Sequence, residues 1–292
     1  MTREPDAFRR VLLDLAETGD GEGGVRAAAE LARLLGVDLL GVFVADEAVL
    51  GLADLPLARE LRLPGYEWSR IDAARIAAEF EGAARRARRL LEEQCARLGV
   101  SAAFEFLRGD PAAALGALAR AGDIVALPGA RAPAGRASGE PLPRALEAAL
   151  RSAASVMLLP QRIARHAGPV AAVAATPSDP GLRAAAGIAA AARERLLVLR
   201  PPGAAGFEEA VAAATRAARL PEGRVLARGL RELSADAILE ALEGARERLL
   251  VLGRGAAGAA RLLPPPLVSA RGVPALLVGP PEESPAAEDR KG

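Results

Sequence analysis

Short apolar runs alternate with longer amphipathic stretches along the whole chain. In the first half, five runs of strand length lie at positions 11–15, 38–44, 102–107, 124–127 and 156–159. Between them, apolar residues recur at helical spacing at 25–35, 71–98 and 142–151. Asp110 followed by Pro111 can begin a further helix, since aspartate caps a helix and proline suits its first turn. The pattern predicts a regular alternation of strands and helices.

The second half repeats this order of elements. Its strand-length apolar runs lie at 170–174, 196–199, 224–227, 249–252 and 275–278, with helical stretches between the first four. Residues 104–130 match residues 224–256, since each stretch contains a strand, a capped helix, a strand and a glycine-containing loop. A repeat of this length indicates a duplicated domain. We predict one domain at 1–163, a shorter and degenerate copy at 164–280 and a disordered tail at 281–292.

Strands and helices in this order predict an α/β fold. We expect two tandem domains, each a five-stranded, mostly parallel sheet with helices on both faces. Ligands in such sheets bind at the carboxyl ends of the strands. The loops after the first and fourth strands of each half are therefore the places where a site is expected.

Two stretches of the first half resemble the universal stress protein family. They are RRVLLDLAETGDGEGGVRAAAELARLLGVDLLGVFV at 9–44 and LLEEQCARLGV at 90–100, continued by LRGDPAAALGALARAGDIVALPGA at 107–130. The resemblance extends over both halves as two domains. It implies an adenine nucleotide alpha hydrolase-like fold, an internal pseudo-dimer of the two halves and a non-catalytic role in stress response. One subgroup of this family binds ATP and another does not.

The first half has lost most of the ATP motif of that subgroup, which is Gly-x2-Gly-x9-Gly-Ser/Thr after the fourth strand. Glycines there let backbone N–H groups reach phosphates, and the hydroxyl adds a donor. The corresponding positions read Gly129, Ala132, Leu142 and Pro143, so that only the first glycine remains. The subgroup's aspartate after the first strand is replaced by Ala16, with Asp14 two residues earlier.

The second half retains more of the motif. Gly253, Gly255 and Gly258 follow a strand, and the spacing from Gly255 and Gly258 leads to Ser269. These four residues are the candidate nucleotide or phosphate loop. Three consecutive prolines at 264–266 interrupt the stretch and predict a truncated final helix, and Ala175 stands where the aspartate after the first strand is expected. We expect no cofactor, with ATP or AMP in this half as the alternative.

A dinucleotide-dependent enzyme is the less favoured alternative. Gly-x-Gly-x-x-Gly patterns occur at 19–24 and 253–258, but carboxylates in the first loop would repel a pyrophosphate, and no acid on a following strand accompanies the second. The single histidine, His166, lies in the predicted linker at 161–168, which argues against a catalytic triad or a histidine metal site. Cys95 lies on the apolar face of its helix, as expected for a buried core thiol. We therefore expect no enzymatic activity.

Composition narrows the range of partners. The formal net charge is +1 and aromatic residues make up 3%, so neither nucleic acid nor an anionic membrane is expected as a partner. A single cysteine and a polar N-terminal stretch favour a cytoplasmic location. We expect association with a protein partner of unknown identity, with a homodimer of the whole chain as a further alternative.

The segment 47–69 fits neither a strand nor a regular helix. It contains many apolar residues, Tyr66 and the only tryptophan, Trp68. Two interpretations stay open: an insertion that packs over its own domain, and a lid or partner-binding surface.

Overall fold

The computed structural model of the protein describes residues 8–16, 22–55, 57–62, 64–128, 144–202, 206–254 and 264–279. The predicted tail at 281–292 lies outside these residues, as do Gly129, Ala132, Leu142 and Pro143.

The described residues form one sheet of ten strands and a separate two-stranded hairpin. The strands are β1 (Arg10–Asp14), β2 (Asp38–Asp46), β3 (Arg59–Arg62), β4 (Glu67–Arg70), β5 (Ala102–Gly109), β6 (Asp123–Pro128), β7 (Ser155–Leu159), β8 (Val170–Val173), β9 (Leu196–Arg200), β10 (Val225–Gly229), β11 (Leu249–Gly253) and β12 (Ala275–Val278). In the large sheet the order is β10-β9-β8-β11-β12-β7-β6-β1-β2-β5, and β3 pairs with β4 in the hairpin. The predicted α/β class is confirmed, with strand ends within about two residues of those expected.

The large sheet contains two groups of five strands with mirrored order. Each half contributes five strands to the large sheet, numbered here by their order in the chain without the hairpin. From either edge toward the centre, the order of these strands is third, second, first, fourth and fifth. All neighbours are parallel except β7 and β12, which pair antiparallel with Leu276 opposite Met157. The two five-stranded groups thus share one continuous sheet, because their last strands hydrogen-bond to each other.

Helices cover both faces of this sheet. They are α1 (Glu22–Leu35), α2 (Glu47–Asp54), α3 (Ala73–Leu98), α4 (Pro111–Leu118), α5 (Arg144–Arg151), α6 (Pro180–Ala192), α7 (Phe207–Ala217), α8 (Ala235–Ala241) and α9 (Pro264–Arg271). One buried cluster packs α1, α3, α6 and α7 on one face, and the other packs α4, α5, α8 and α9 on the opposite face. In β1, Val11 and Leu13 enter the first cluster while Leu12 enters the second, as strand alternation requires.

Two expectations from the sequence are wrong. The segment 47–69 contains α2 and the hairpin, although it was expected to contain neither a strand nor a clean helix. The prolines at 264–266 form the first turn of α9 rather than interrupt it, and α9 has 8 residues. Proline is tolerated in a first helical turn because the N–H groups there have no partner within the helix.

Ion pairs connect the two halves at one side of the central strands. Glu30 on α1 is buried, and its carboxylate accepts a hydrogen bond of 3.0 Å from Arg248 just before β11. A carboxylate oxygen of Glu30 also lies 3.3 Å from Nδ1 of His166, in the connection between the halves. Glu247 has no exposed surface and is paired with Arg271 and with Arg165. The connecting segment is thus fixed to the second half by charged side chains.

Candidate functional site

Each half of the sheet has its own carboxyl edge. Because β7 and β12 are antiparallel, the carboxyl ends of the first half's five strands in the large sheet lie at one end of the sheet, and those of the second half's five strands lie at the other. In each half, the first and fourth main strands are neighbours, and the order reverses between them. This is the crevice where α/β sheets bind ligands.

Only part of the first-half crevice lies within the described residues. Asp14 is the last residue of β1 and is buried, and its Oδ1 accepts a hydrogen bond of 3.0 Å from the N–H of Ala16. The carboxylate therefore fixes the turn that leaves the strand. Helix α5 begins at Arg144, directly after Pro143 in the sequence.

In the second half, the crevice contains the carboxylate of Asp179. This residue caps the N-terminus of α6, and only 6% of its surface is exposed. One carboxylate oxygen accepts a hydrogen bond of 2.8 Å from the N–H of Gly181, and the other accepts one of 3.1 Å from Ala175. Burial raises the pKa of Asp179, and these two N–H groups only partly oppose that effect.

Gly253 ends β11 directly beneath this carboxylate. A β-carbon added to Gly253 would lie 2.0 Å from Oδ1 of Asp179, far inside contact distance. A β-carbon on Gly181 would meet the backbone N of Gly253 at 2.8 Å. Glycine at these two positions is thus explained by close packing of α6 on β11. Of the other predicted loop residues, Gly255 and Gly258 lie outside the described residues.

Arg254, the residue after Gly253, is directed into the first half. It is 1% exposed, and its guanidinium donates to the carbonyls of Ala149, Leu150 and Ser152, at and just beyond the end of α5. Carbonyls at the end of a helix lack some of their intrahelical partners, and a cation is favoured there. The carbonyl of Ala149 also accepts from the N–H and the hydroxyl of Ser152. Burial lowers the pKa of Arg254 to about 10. The arginine therefore connects the candidate loop to the opposite half.

Ser269 is far from the start of α9. The helix runs from Pro264 to Arg271, so Ser269 lies in its last turn, where its side chain is exposed. The N-terminal turn consists of three prolines, none of which has a backbone N–H. The structure thus does not place the predicted hydroxyl among the N–H groups of a helix N-terminus.

Sequence reasoning missed both Asp179 and Arg254. The pair Asp179-Pro180 repeats the Asp110-Pro111 pair that predicted a capped helix, and Asp110 does accept a hydrogen bond of 2.7 Å from Ala113. That signal locates the cap of α6. It contains nothing about Gly253, which is distant in the sequence.

Three further features concern a reactive cysteine, a metal site and a membrane-spanning helix. Cys95 is buried in the core as predicted, and burial raises the pKa of its thiol, which disfavours the reactive thiolate. Among the described residues, no group of histidine, cysteine, aspartate and glutamate side chains is arranged to hold a metal ion. In the same part of the chain, every helix is too short or too polar to cross a bilayer.

Comparison with known proteins identifies the fold. No family model matches the sequence. No curated protein matches it either. A universal stress protein from Archaeoglobus fulgidus DSM 4304 is similar over 96% of this chain and 100% of its own, with a TM-score of 0.61 and 15% identity. This chain has the universal stress protein fold. A functionally unknown protein from Pseudomonas aeruginosa PAO1 is also similar, with a TM-score of 0.51, 14% identity and 94% of each chain covered.

Proposed function

We propose that this chain is a non-catalytic regulatory protein of the universal stress protein type. It acts in the cytoplasm by association with a protein partner, and its two halves form an internal pseudo-dimer. Nucleotide binding is not part of its action.

The first turn of α9 carries this proposal. In the ATP-binding subgroup of the family that the sequence resembles, phosphates bind the loop after the fourth strand, and the N–H groups at the start of the following helix add donors. Here that helix begins with three prolines, which offer no N–H group. Ser269 lies in the last turn of the same helix and cannot replace them. A phosphate at this position would have lost its strongest partners.

The carboxylate of Asp179 supports the same proposal. It occupies the crevice between β8 and β11 and already accepts the N–H groups at the start of α6. A nucleotide that entered this crevice would have to displace the buried carboxylate and would experience its negative charge. Neither effect can be offset by Arg254, whose guanidinium binds carbonyls of the other half.

The mirrored strand order supports the pseudo-dimer. Two groups of five strands with the same internal order meet through β7 and β12. Such a pair of last strands is what two identical subunits related by a two-fold axis would form. The proposed boundary between residues 163 and 164 falls in the segment that connects these groups.

Calorimetric titration of the full chain with ATP and with AMP tests the proposal. We expect no binding at nucleotide concentrations up to about 1 mM and no release of phosphate from ATP. Saturable binding of either nucleotide would contradict the proposal and favour the glycine-rich loop of the second half as its site. An ATP-hydrolysing activity that stays with the protein through successive purification steps would contradict the non-catalytic assignment.

A further inference from the structure

Exposed apolar side chains are concentrated in one short segment. Among the described residues, nine large hydrophobic residues are exposed, and seven of them lie between Val49 and Trp68. Those seven are Val49, Leu52, Leu55, Leu57, Leu61, Tyr66 and Trp68. Trp68 is 65% exposed and Leu57 90%. Such a concentration on a folded chain indicates a contact surface.

The register of β3 and β4 separates the hairpin into two different faces. Arg59 is opposite Arg70 and Leu61 is opposite Trp68, while Glu60 is opposite Ser69. Since side chains alternate along a strand, Arg59, Leu61, Trp68 and Arg70 share one face, which we term the outer face. All four of these residues are exposed, whereas Glu60 and Ser69 are half-buried.

The polar face of the hairpin is joined to α3 by an ion pair. Glu60 forms an ion pair with Arg75 in the first turn of α3, and the hydroxyl of Ser69 donates to Glu60 over 3.4 Å. Hairpins on a protein surface normally bury their apolar face and expose their polar one. This hairpin does the opposite, so the apolar outer face has no partner within the described residues.

The outer face also has unbalanced positive charge. Arg59 and Arg70 lie directly opposite each other, an arrangement that destabilises a strand pair, and neither forms an ion pair within the described part of the chain. The two arginines form one row across the outer face, and Leu61 with Trp68 forms the next, so a partner carboxylate beside an apolar side chain would match them. The charge pattern therefore selects an acidic partner with apolar side chains.

The hairpin offers main-chain groups as well. Within the described residues it is a sheet of only two strands, so each strand has a free edge. A two-stranded sheet is marginal alone, and an extended peptide can add a third strand to such an edge. In the added strand, alternate side chains would lie on the outer face.

We infer that the outer face docks an extended, acidic segment of a partner protein in which a carboxylate and an apolar residue stand two positions apart, so that both side chains lie on the same face of the strand. This inference rests on the proposed function, which requires a protein partner. An anionic membrane fits less well, because the sequence from Asp46 to Asp72 contains six carboxylates and three arginines. A flat anionic surface extends beyond the outer face and would experience the excess of carboxylates in this segment, whereas a single strand meets only the outer face.

Trp68 provides a direct measurement, because it is the only tryptophan of the chain. We would titrate the full chain, without nucleotide, with a short synthetic peptide in which glutamate and valine occupy every second position in turn, with serine at the positions between them. Binding is expected to shift the emission of Trp68 to shorter wavelength. The double variant R59Q/R70Q should weaken binding roughly tenfold, through the loss of two exposed charge pairs. The matched variant R86Q/R89Q, which removes two exposed arginines from α3, should leave the affinity unchanged.

Three outcomes would overturn the inference. The first is that the peptide does not bind, or that the R59Q/R70Q variant binds it with the same affinity as the unsubstituted protein. The second is binding of phosphatidylserine vesicles in place of the peptide. The third is self-association in sedimentation velocity that L61S abolishes, which would make a second copy of the chain the occupant. The nucleotide titration is a separate measurement, so failure of the proposed function and failure of this surface are distinguishable.

Discussion

The carboxylate of Asp179 lies against the α-carbon of Gly253, so close that a β-carbon there would be 2.0 Å from Oδ1. The two residues come from opposite sides of the crevice, one from the start of α6 and the other from the end of β11. Glycine after a strand is commonly interpreted as space for a phosphate. In this chain the same space is filled by a carboxylate of the protein itself.

Substitution of Gly253 by alanine should therefore destabilise the protein. The added methyl group must displace either Asp179 or the backbone of α6, and overpacking of this kind costs about 1–3 kcal/mol in the free energy of unfolding. Urea unfolding followed by circular dichroism measures the effect.

The matched control for this experiment is Gly187→Ala. Gly187 lies on the exposed side of α6, where a β-carbon would meet nothing within 4 Å. Alanine should stabilise the helix there by up to about 1 kcal/mol. Equal effects of the two substitutions would show that the contact between Asp179 and Gly253 is absent in solution.

The stability of the protein should depend on the titration of Asp179. Burial raises its folded-state pKa above the ordinary aspartate value of about 3.9. Between these two values the folded state binds more protons than the unfolded state, so Asp179 contributes more stability as the pH falls through this window. At neutral pH, the buried charge makes its contribution least favourable.

The variant D179N isolates this contribution, because asparagine does not titrate. As the pH is lowered from 7 to 4, the parent protein should gain stability relative to D179N in urea unfolding. A relative loss over the same range would mean that the N–H groups of Ala175 and Gly181 lower the pKa more than burial raises it.

Periodicity was sufficient to predict the order of the main strands and helices. Apolar runs are local, so β6 and β11 could be located from a few consecutive residues, and the Asp110 cap from its neighbour Pro111. The occupied crevice was beyond such reasoning because Asp179 and Gly253 meet only through the tertiary fold. The hairpin was also missed, since its apolar side chains face outward and so give no sign of a buried face.

Arg254 should contribute to stability through contacts between the halves. Its guanidinium donates to three carbonyls near the end of α5, at 2.9 to 3.3 Å. Methionine would fill a similar volume but remove these three hydrogen bonds, so R254M should lower the free energy of unfolding by about 1–3 kcal/mol. R254Q retains N–H donors without a buried charge and should lose less.

The exposed Arg231 provides the control for the arginine series. R231M removes a surface ion pair with Glu240 and should change stability by no more than about 0.5 kcal/mol. If R254M changed the free energy of unfolding as little, the cost of burying the guanidinium would balance the gain from its hydrogen bonds. Arg254 would then not stabilise the contact between the halves.

The antiparallel pairing of β7 and β12 makes the two halves dependent on each other. All five residues of β7 are buried, and in the first half alone its outer edge would be an unpaired apolar strand. Unpaired edges of this kind recruit other chains. A chain that ends at Arg165 should therefore dimerise or aggregate, because a second copy can pair through β7 in place of β12. The intact chain should not need a partner to cover these strands.

Sedimentation velocity of both proteins over a range of concentrations measures the difference. A soluble, folded monomer of residues 1–165 would show that β7 is stable without β12, and the explanation of the fused halves as a permanent dimer would fail.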